Sequence, residues 1–137
     1  MQQPDPVNPV PSATASSTGL DENIAGALTY LFGFITGIIF LIIEKKSPYV
    51  RFHAAQSTFL WGVVFIAMIG LSVVSMIASA IPAIGWLLGI LFFLVSLGLG
   101  FGSFILWVFL MYKAYSGEEW EFPWAGRQAR QTLLKGG

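Results

Sequence analysis

Charge is missing from most of this chain. From Asn23 to Ile43, 21 consecutive residues carry no formal charge, and from Phe52 to Tyr112 another 61 carry none. A hydrocarbon layer about 30 Å thick is crossed by roughly 20 apolar helical residues. The first stretch is therefore as long as one crossing, and the second as long as two or, at a squeeze, three. A water-soluble domain of 137 residues has too much surface to be covered by so few polar groups. Charged residues are 10% of the chain, where soluble domains carry about 25%, and the mean hydropathy is +0.73. A net charge of zero with only seven Lys plus Arg argues against nucleic acid as a partner. With no Cys and a single His there is no His/Cys set for a zinc site and no disulfide framework. No cofactor is expected, and the first partner is the lipid bilayer.

The charged and proline-rich segments divide the rest. Residues 1–20 hold four prolines, one charge (Asp5) and no periodicity, and are expected to be a disordered tail. Their lack of a basic start separates them from a secretory signal. A first span is expected over Ile24–Ile43, capped by Asp21 or Asn23. Glu44-Lys45-Lys46-Ser47-Pro48 ends it, and Ser47 as N-cap with Pro48 at the first helical position opens the next helix. That second helix runs to about Ser79, with Tyr49–Gln56 at headgroup depth. Ala80-Ile81-Pro82-Ala83 breaks it, and a long tilted helix follows from Ala83 to Tyr112.

The expected fold class is all-α, a polytopic membrane helix bundle of three transmembrane helices over residues 21–116. A polar, partly interfacial tail follows over 117–137. In it Gly117 closes the long helix, Glu118–Trp124 forms an extended strap and Trp124–Leu134 a short basic helix. A break at Gly98–Gly102 would instead give four spans. Three spans put all seven basic residues on one side and leave Asp5, Asp21 and Glu22 on the other, whereas four spans split the basic residues three against four. The preference for cytoplasmic Lys and Arg then favours three spans in the cell membrane, N-terminus outside and C-terminus cytoplasmic.

Helices in lipid associate through small residues that let backbones approach. The first span offers Gly33-x-x-x-Gly37 with Gly26 two turns earlier. The last offers Gly85, Gly89, Ser96, Gly100 and Ser103, which fall within an arc of roughly 60° at helical spacing. These eight positions are the expected helix-packing sites. Ser72, Ser75 and Ser79 share one face and are expected to bond their own helix carbonyls. Tyr30, Tyr49, Trp61, Trp86, Trp107, Tyr112, Tyr115, Trp120 and Trp124 fall near the span ends, as an interfacial aromatic belt would.

One constellation concentrates polar chemistry. Glu44, Lys45, Lys46, Arg51, His53 and Gln56 stand together, with His53, Gln56 and Ser57 on one helical face. In one reading Lys45, Lys46 and Arg51 meet lipid phosphates while His53 and Gln56 hydrogen-bond a neighbouring span. In a second His53 titrates. In a third the patch docks a protein partner. Catalysis is not expected: within the spans there is no Asp or Glu, no G-x-S-x-G and no phosphate-cradling loop.

Gly26-Ala-Leu-Thr-Tyr30, Glu44-Lys45-Lys46, the block Tyr49-Val-Arg-Phe-His-Ala-Ala-Gln-Ser57, Lys113-Ala-Tyr-x-Gly117 and Pro123 resemble small membrane proteins of the DUF4870 type. These are grouped with Tic20-like proteins, whose plastid members belong to a protein-import machinery. The resemblance covers about Asp21–Gly126 and brings no catalytic residues. It implies an integral membrane protein, a scaffold or complex subunit linked to protein translocation, with a membrane-protein partner or self-association. The alternative is a small oligomeric channel or transporter assembled through the glycine faces.

Overall fold

A computed structural model describes residues 16–135. The tail expected over 1–20 falls mostly outside that range. Five helices follow in order: α1 (Glu22–Leu28), α2 (Phe34–Ile43), α3 (Pro48–Ser79), α4 (Gly85–Tyr115) and α5 (Ala125–Lys135). The protein is all-helical over the described residues, and two of these helices, α3 and α4, are long and apolar enough to cross a membrane.

The ends of α3 and α4 are set by local chemistry. Ser47 accepts a hydrogen bond from the Val50 N–H at 3.2 Å, and Pro48 occupies the first turn, where its missing N–H costs nothing. At the far end of α4, Gly117 adopts φ +86°, and the Gly117 and Glu118 N–H groups bond back to Ala114 and Lys113. That is the glycine-closed helix end in which two orphan carbonyls are satisfied. The Ala80–Ile84 turn reverses the chain, so α3 and α4 run antiparallel; at the other end the Tyr49 hydroxyl donates to the Ala114 carbonyl. No break interrupts α4 at Gly98–Gly102, which removes the basis of the four-span alternative.

The expected first span is corrected by the structure. Residues 24–43 do not form one helix of crossing length. The chain leaves α1 at Leu28, turns through Thr29–Gly33 and starts α2 at Phe34. Gly33 has φ +63° and ψ −131°, a backbone region that only glycine occupies without strain. α1 and α2 make a hairpin with both outer ends at the start of α3. Ser47 Oγ donates to Glu22 at 2.6 Å, and Glu44, which closes α2, accepts from the Ser47 N–H at 2.9 Å. The hairpin tip reaches the level of Ser57 and Trp61. The expected separation of Asp21 and Glu22 from the basic residues is corrected with it: Glu22 lies beside the Glu44–Pro48 loop.

The core is concentrated at this end of the molecule. Buried residues on α3 run from Val50 to Trp61, and on α4 they are Gly85, Leu110 and Ala114. Tyr30, Leu60, Trp61, Leu110, Ala114 and Ala125 form one cluster. Phe40, Val50 and Ala54 join α2 to α3, and Phe52, Ala55 and Ala129 join α5 to α3. Beyond Trp61 the α3–α4 pair continues with apolar side chains exposed along both helices.

Candidate functional site

The hairpin places irregular backbone among apolar side chains, where every N–H and C=O needs a partner. Those partners come from distant polar side chains. Trp107 Nε1 donates to the Tyr30 carbonyl at 2.6 Å, and Ser57 Oγ donates to the Gly33 carbonyl at 2.8 Å. Thr36 Oγ1 donates to the Thr29 carbonyl at 2.9 Å and accepts from the Phe32 N–H at 3.1 Å. The tip is thus pinned by α3, α4 and α2 together.

Beneath the tip lies a chain of buried side chains. Tyr30, His53 and Gln56 are all fully buried. The Tyr30 hydroxyl is 2.8 Å from His53 Nδ1, and His53 Nε2 is 3.0 Å from the Glu118 carbonyl. Gln56 Nε2 donates to the Tyr30 oxygen at 2.8 Å and to the Trp120 carbonyl at 3.0 Å, while its Oε1 accepts from the Phe122 N–H at 2.8 Å. A carbonyl can only accept, so Nε2 of His53 carries the proton and Nδ1 receives the Tyr30 hydroxyl. Donation then runs one way, from Gln56 to Tyr30 to His53 to the Glu118 carbonyl. Gln56 also holds the Glu118–Phe122 strap, so one amide ties the hairpin, α3 and the C-terminal segment. Gly126 lies against Gln56 Oε1, and a methyl group there would approach it to 2.8 Å.

A second polar knot closes the base of the hairpin. The Glu44 side chain is fully buried. It accepts from the Ser16 hydroxyl, from the Ser17 N–H and hydroxyl, and from the Lys46 and Ser47 N–H groups at 3.1 and 2.9 Å. Burial alone would raise the carboxyl pKa. The Ser16 hydroxyl and the Ser17, Ser47 and Lys46 N–H groups outweigh it and bring it down to about 2. Arg51 Nη1 donates to the Glu44 carbonyl at 2.7 Å and so caps the end of α2. Lys45 and Lys46 project outward.

The glycines expected to pack helices separate into groups. Gly26, Gly33 and Gly37 lie in close contact: a methyl group on Gly26 would meet the Tyr49 ring at 3.0 Å, on Gly33 the Trp61 side chain at 3.3 Å, and on Gly37 the Ala54 carbonyl at 2.8 Å. Gly85 abuts the Ser79 carbonyl within the turn, and Gly89 stands beside the Ser79 side chain. Gly100 has open space around it, and Ser96 and Ser103 are half-exposed. Around Gly100 and Ser103 a groove of about 420 Å³ opens beyond the hairpin tip, on the side away from the buried chain, walled by Phe34, Trp61, Phe65 and Phe104. Of the aromatic residues read as a belt, Tyr30 and Trp107 bond inside the fold, and Trp61 is buried with its Nε1 unpartnered among the described residues. Ser72 and Ser79 bond their own helix carbonyls at 2.8 and 3.1 Å. Among the described residues, no group of three or more His, Asp or Glu gathers to hold a metal.

Sequence reasoning placed His53 and Gln56 on one face. It missed Tyr30 as their partner, and Ser16, Ser17, Glu22 and Trp107 as bonding residues. A phenol inside an apolar run, which needs a polar partner when buried, was the available signal for Tyr30.

Residues 15–129 match the model of the magnetosome magnetite crystal formation protein family. The chain belongs to that family. It is 49% identical to a UPF0132 membrane protein of Methanocaldococcus jannaschii over 116 residues, covering 85% of this chain and 92% of that one. It is 44% identical to a UPF0132 membrane protein of Archaeoglobus fulgidus over 114 residues, covering 83% and 97%. These names state a membrane location and no activity. No solved structure matches. The family match overturns the resemblance to DUF4870 and Tic20-like proteins, which rested on short blocks between Gly26 and Pro123, and leaves the translocation role without that support.

Proposed function

We propose that this membrane protein is a non-catalytic scaffold of the cell membrane that crosses the bilayer twice, through α3 and α4. The α1–α2 hairpin enters from the same side as the strap and α5, and that side is the cytoplasm. One observation carries this reading: the charged side chains gather at one end of the α3–α4 pair. Lys45, Lys46 and Arg51 stand at the start of α3, Lys113 pairs with Glu118 at 2.9 Å, and Arg130 pairs with Glu121 at 2.8 Å. The opposite end is the Ala80–Ile84 turn, which has no charge. The bias of Lys and Arg toward the cytoplasm then orients the protein. The hydrogen-bonded strap and hairpin supply a cytoplasmic platform, which suits a member of a family named for crystal formation.

The chain has no cysteine, so single cysteines report position cleanly. Thr18→Cys, Gln131→Cys and Pro82→Cys proteins in intact cells are to be labelled with a membrane-impermeant maleimide. Pro82 is expected to react from outside, and Thr18 and Gln131 only after the membrane is opened. Thr18 and Gln131 reacting from opposite faces would restore an odd number of crossings and end the reading. Purified protein in planar bilayers is expected to pass no current; conductance would favour a channel.

A further inference from the structure

The molecule is much wider at one end than at the other. At the polar end five elements pack side by side: α1, α2, the first half of α3, the last turns of α4, and α5. At the Ala80–Ile84 end only α3 and α4 remain among the described residues. An α-helix with its side chains is about 10–12 Å across, so the difference is several helix widths within one leaflet's depth.

The extra width is partly inside hydrocarbon. α2 turns Gly37 and Phe40 toward α3 and leaves Ile35, Ile38, Ile39 and Ile42 exposed. Their spacing of three, one and three residues makes a single apolar stripe. Phe32 at the hairpin tip is 68% exposed. With α3 and α4 crossing the bilayer, such a stripe faces acyl chains. Lys45 and Lys46 follow directly at its outer end, where headgroup phosphates lie. Ten residues of helix are about 15 Å long, half of a hydrocarbon layer of about 30 Å. α2 therefore occupies the cytoplasmic leaflet and leaves the other untouched.

We infer that the hairpin is a one-leaflet wedge that makes the protein select membranes curved convexly toward its polar end. The inference rests on the two-crossing reading above. Its occupant is the acyl layer of the polar-side leaflet. A body that takes more area in one leaflet than in the other fits best where that leaflet is stretched. That holds on the outer face of a small vesicle or tubule whose polar end points outward.

The test uses the full chain in giant vesicles from which tubes of set radius are pulled. Gln131→Cys protein is labelled from outside with an impermeant dye, which lights only copies with the polar end outward. A second preparation is labelled beforehand and quenched from outside, which lights only inward copies. Outward copies are expected at a tube-to-vesicle density ratio above one that rises as the tube narrows. Inward copies are expected to fall below one. Ratios of one in both orientations, with the cysteine map of the two crossings intact, would overturn the wedge and leave the topology standing. A spin label on Ile39→Cys is expected to relax with oxygen rather than with a water-soluble nickel chelate. The reverse would place α2 in water and overturn the wedge independently. Thr18 and Gln131 labelling from opposite faces would remove both readings together.

Discussion

Replacing Gln56 by Leu keeps the volume of the side chain and deletes its amide. Three hydrogen bonds go: to the Tyr30 oxygen, to the Trp120 carbonyl and from the Phe122 N–H. Side-chain hydrogen bonds inside helical membrane bundles average about 0.6 kcal/mol, which sets a floor of about 2 kcal/mol. Orphaned groups that stay buried cost about 1–3 kcal/mol each. The Trp120 carbonyl and the Phe122 N–H belong to a half-buried strap that can shift toward water, so the expected loss is about 2–4 kcal/mol. SDS titration of the purified protein in mixed micelles, followed by far-ultraviolet circular dichroism, measures it. Tyr30→Phe removes the middle of the same chain, so the two losses should fall short of additive, with a coupling of at least about 0.5 kcal/mol. A Gln56→Leu loss below about 0.5 kcal/mol, or strict additivity with Tyr30→Phe, would refute the view that this chain holds the hairpin and strap together.

Three further outcomes follow from the same geometry. Gly37→Ala drives a methyl group onto the Ala54 carbonyl and should cost about 1–3 kcal/mol in the same titration, whereas Gly100→Ala, with open space around it, should be neutral or stabilise by up to about 1 kcal/mol. Glu44 has a folded pKa of about 2 against an ordinary 4.5, so its stabilising share is complete above pH 4.5 and disappears as the pH falls toward 2. The thermal midpoint of wild type in detergent should therefore exceed that of Glu44→Gln at pH 7, with the gap closing below pH 4.5. Ala83 sits at φ +72° in the turn between α3 and α4, so Ala83→Gly should raise stability by about 1 kcal/mol in the SDS titration.

The parts of the fold that carry their own local chemistry were legible. Ser47 and Pro48 announced α3, Gly117 announced the end of α4, and the strap and the short helix after it follow the composition of 118–135. The hairpin was not legible because its two signals have ordinary meanings. Gly33 and Gly37 at four-residue spacing mark a helix-packing face in most membrane spans, and only a glycine φ distinguishes a turn. The charge count does not separate the topologies either. Two crossings and three crossings both put every basic residue on one side, since the bias counts Lys and Arg and ignores Asp21 and Glu22. In the site, His53 and Gln56 are one helical turn apart, and their shared face is read directly. Their partners are 23 and 26 residues away at Tyr30 and 64 to 66 away in the strap, separations at which no periodicity operates.

The break in the first apolar stretch also explains why so many of the protein's polar residues sit where they do. An unbroken helix over 24–43 would satisfy its own backbone and would need no help from Ser57, Trp107 or Thr36. A hairpin exposes its tip carbonyls to hydrocarbon and survives only if other helices bring donors to it. Ser57 and Trp107 stand on α3 and α4 at the level of that tip, and both donate to it. The donors exist only when α3 and α4 are already paired, so the hairpin depends on the two-helix frame for its formation. The frame gains from it in return: Tyr30, carried by the hairpin, completes the buried bonds of His53 and Gln56, whose remaining partners are backbone groups of the strap. Hairpin, frame and strap are thus conditional on one another. A chain truncated after Ser116 should lose the protease protection of its hairpin as well as its tail, and a protected hairpin in that truncated protein would show that the strap is an ornament to the fold rather than a member of it.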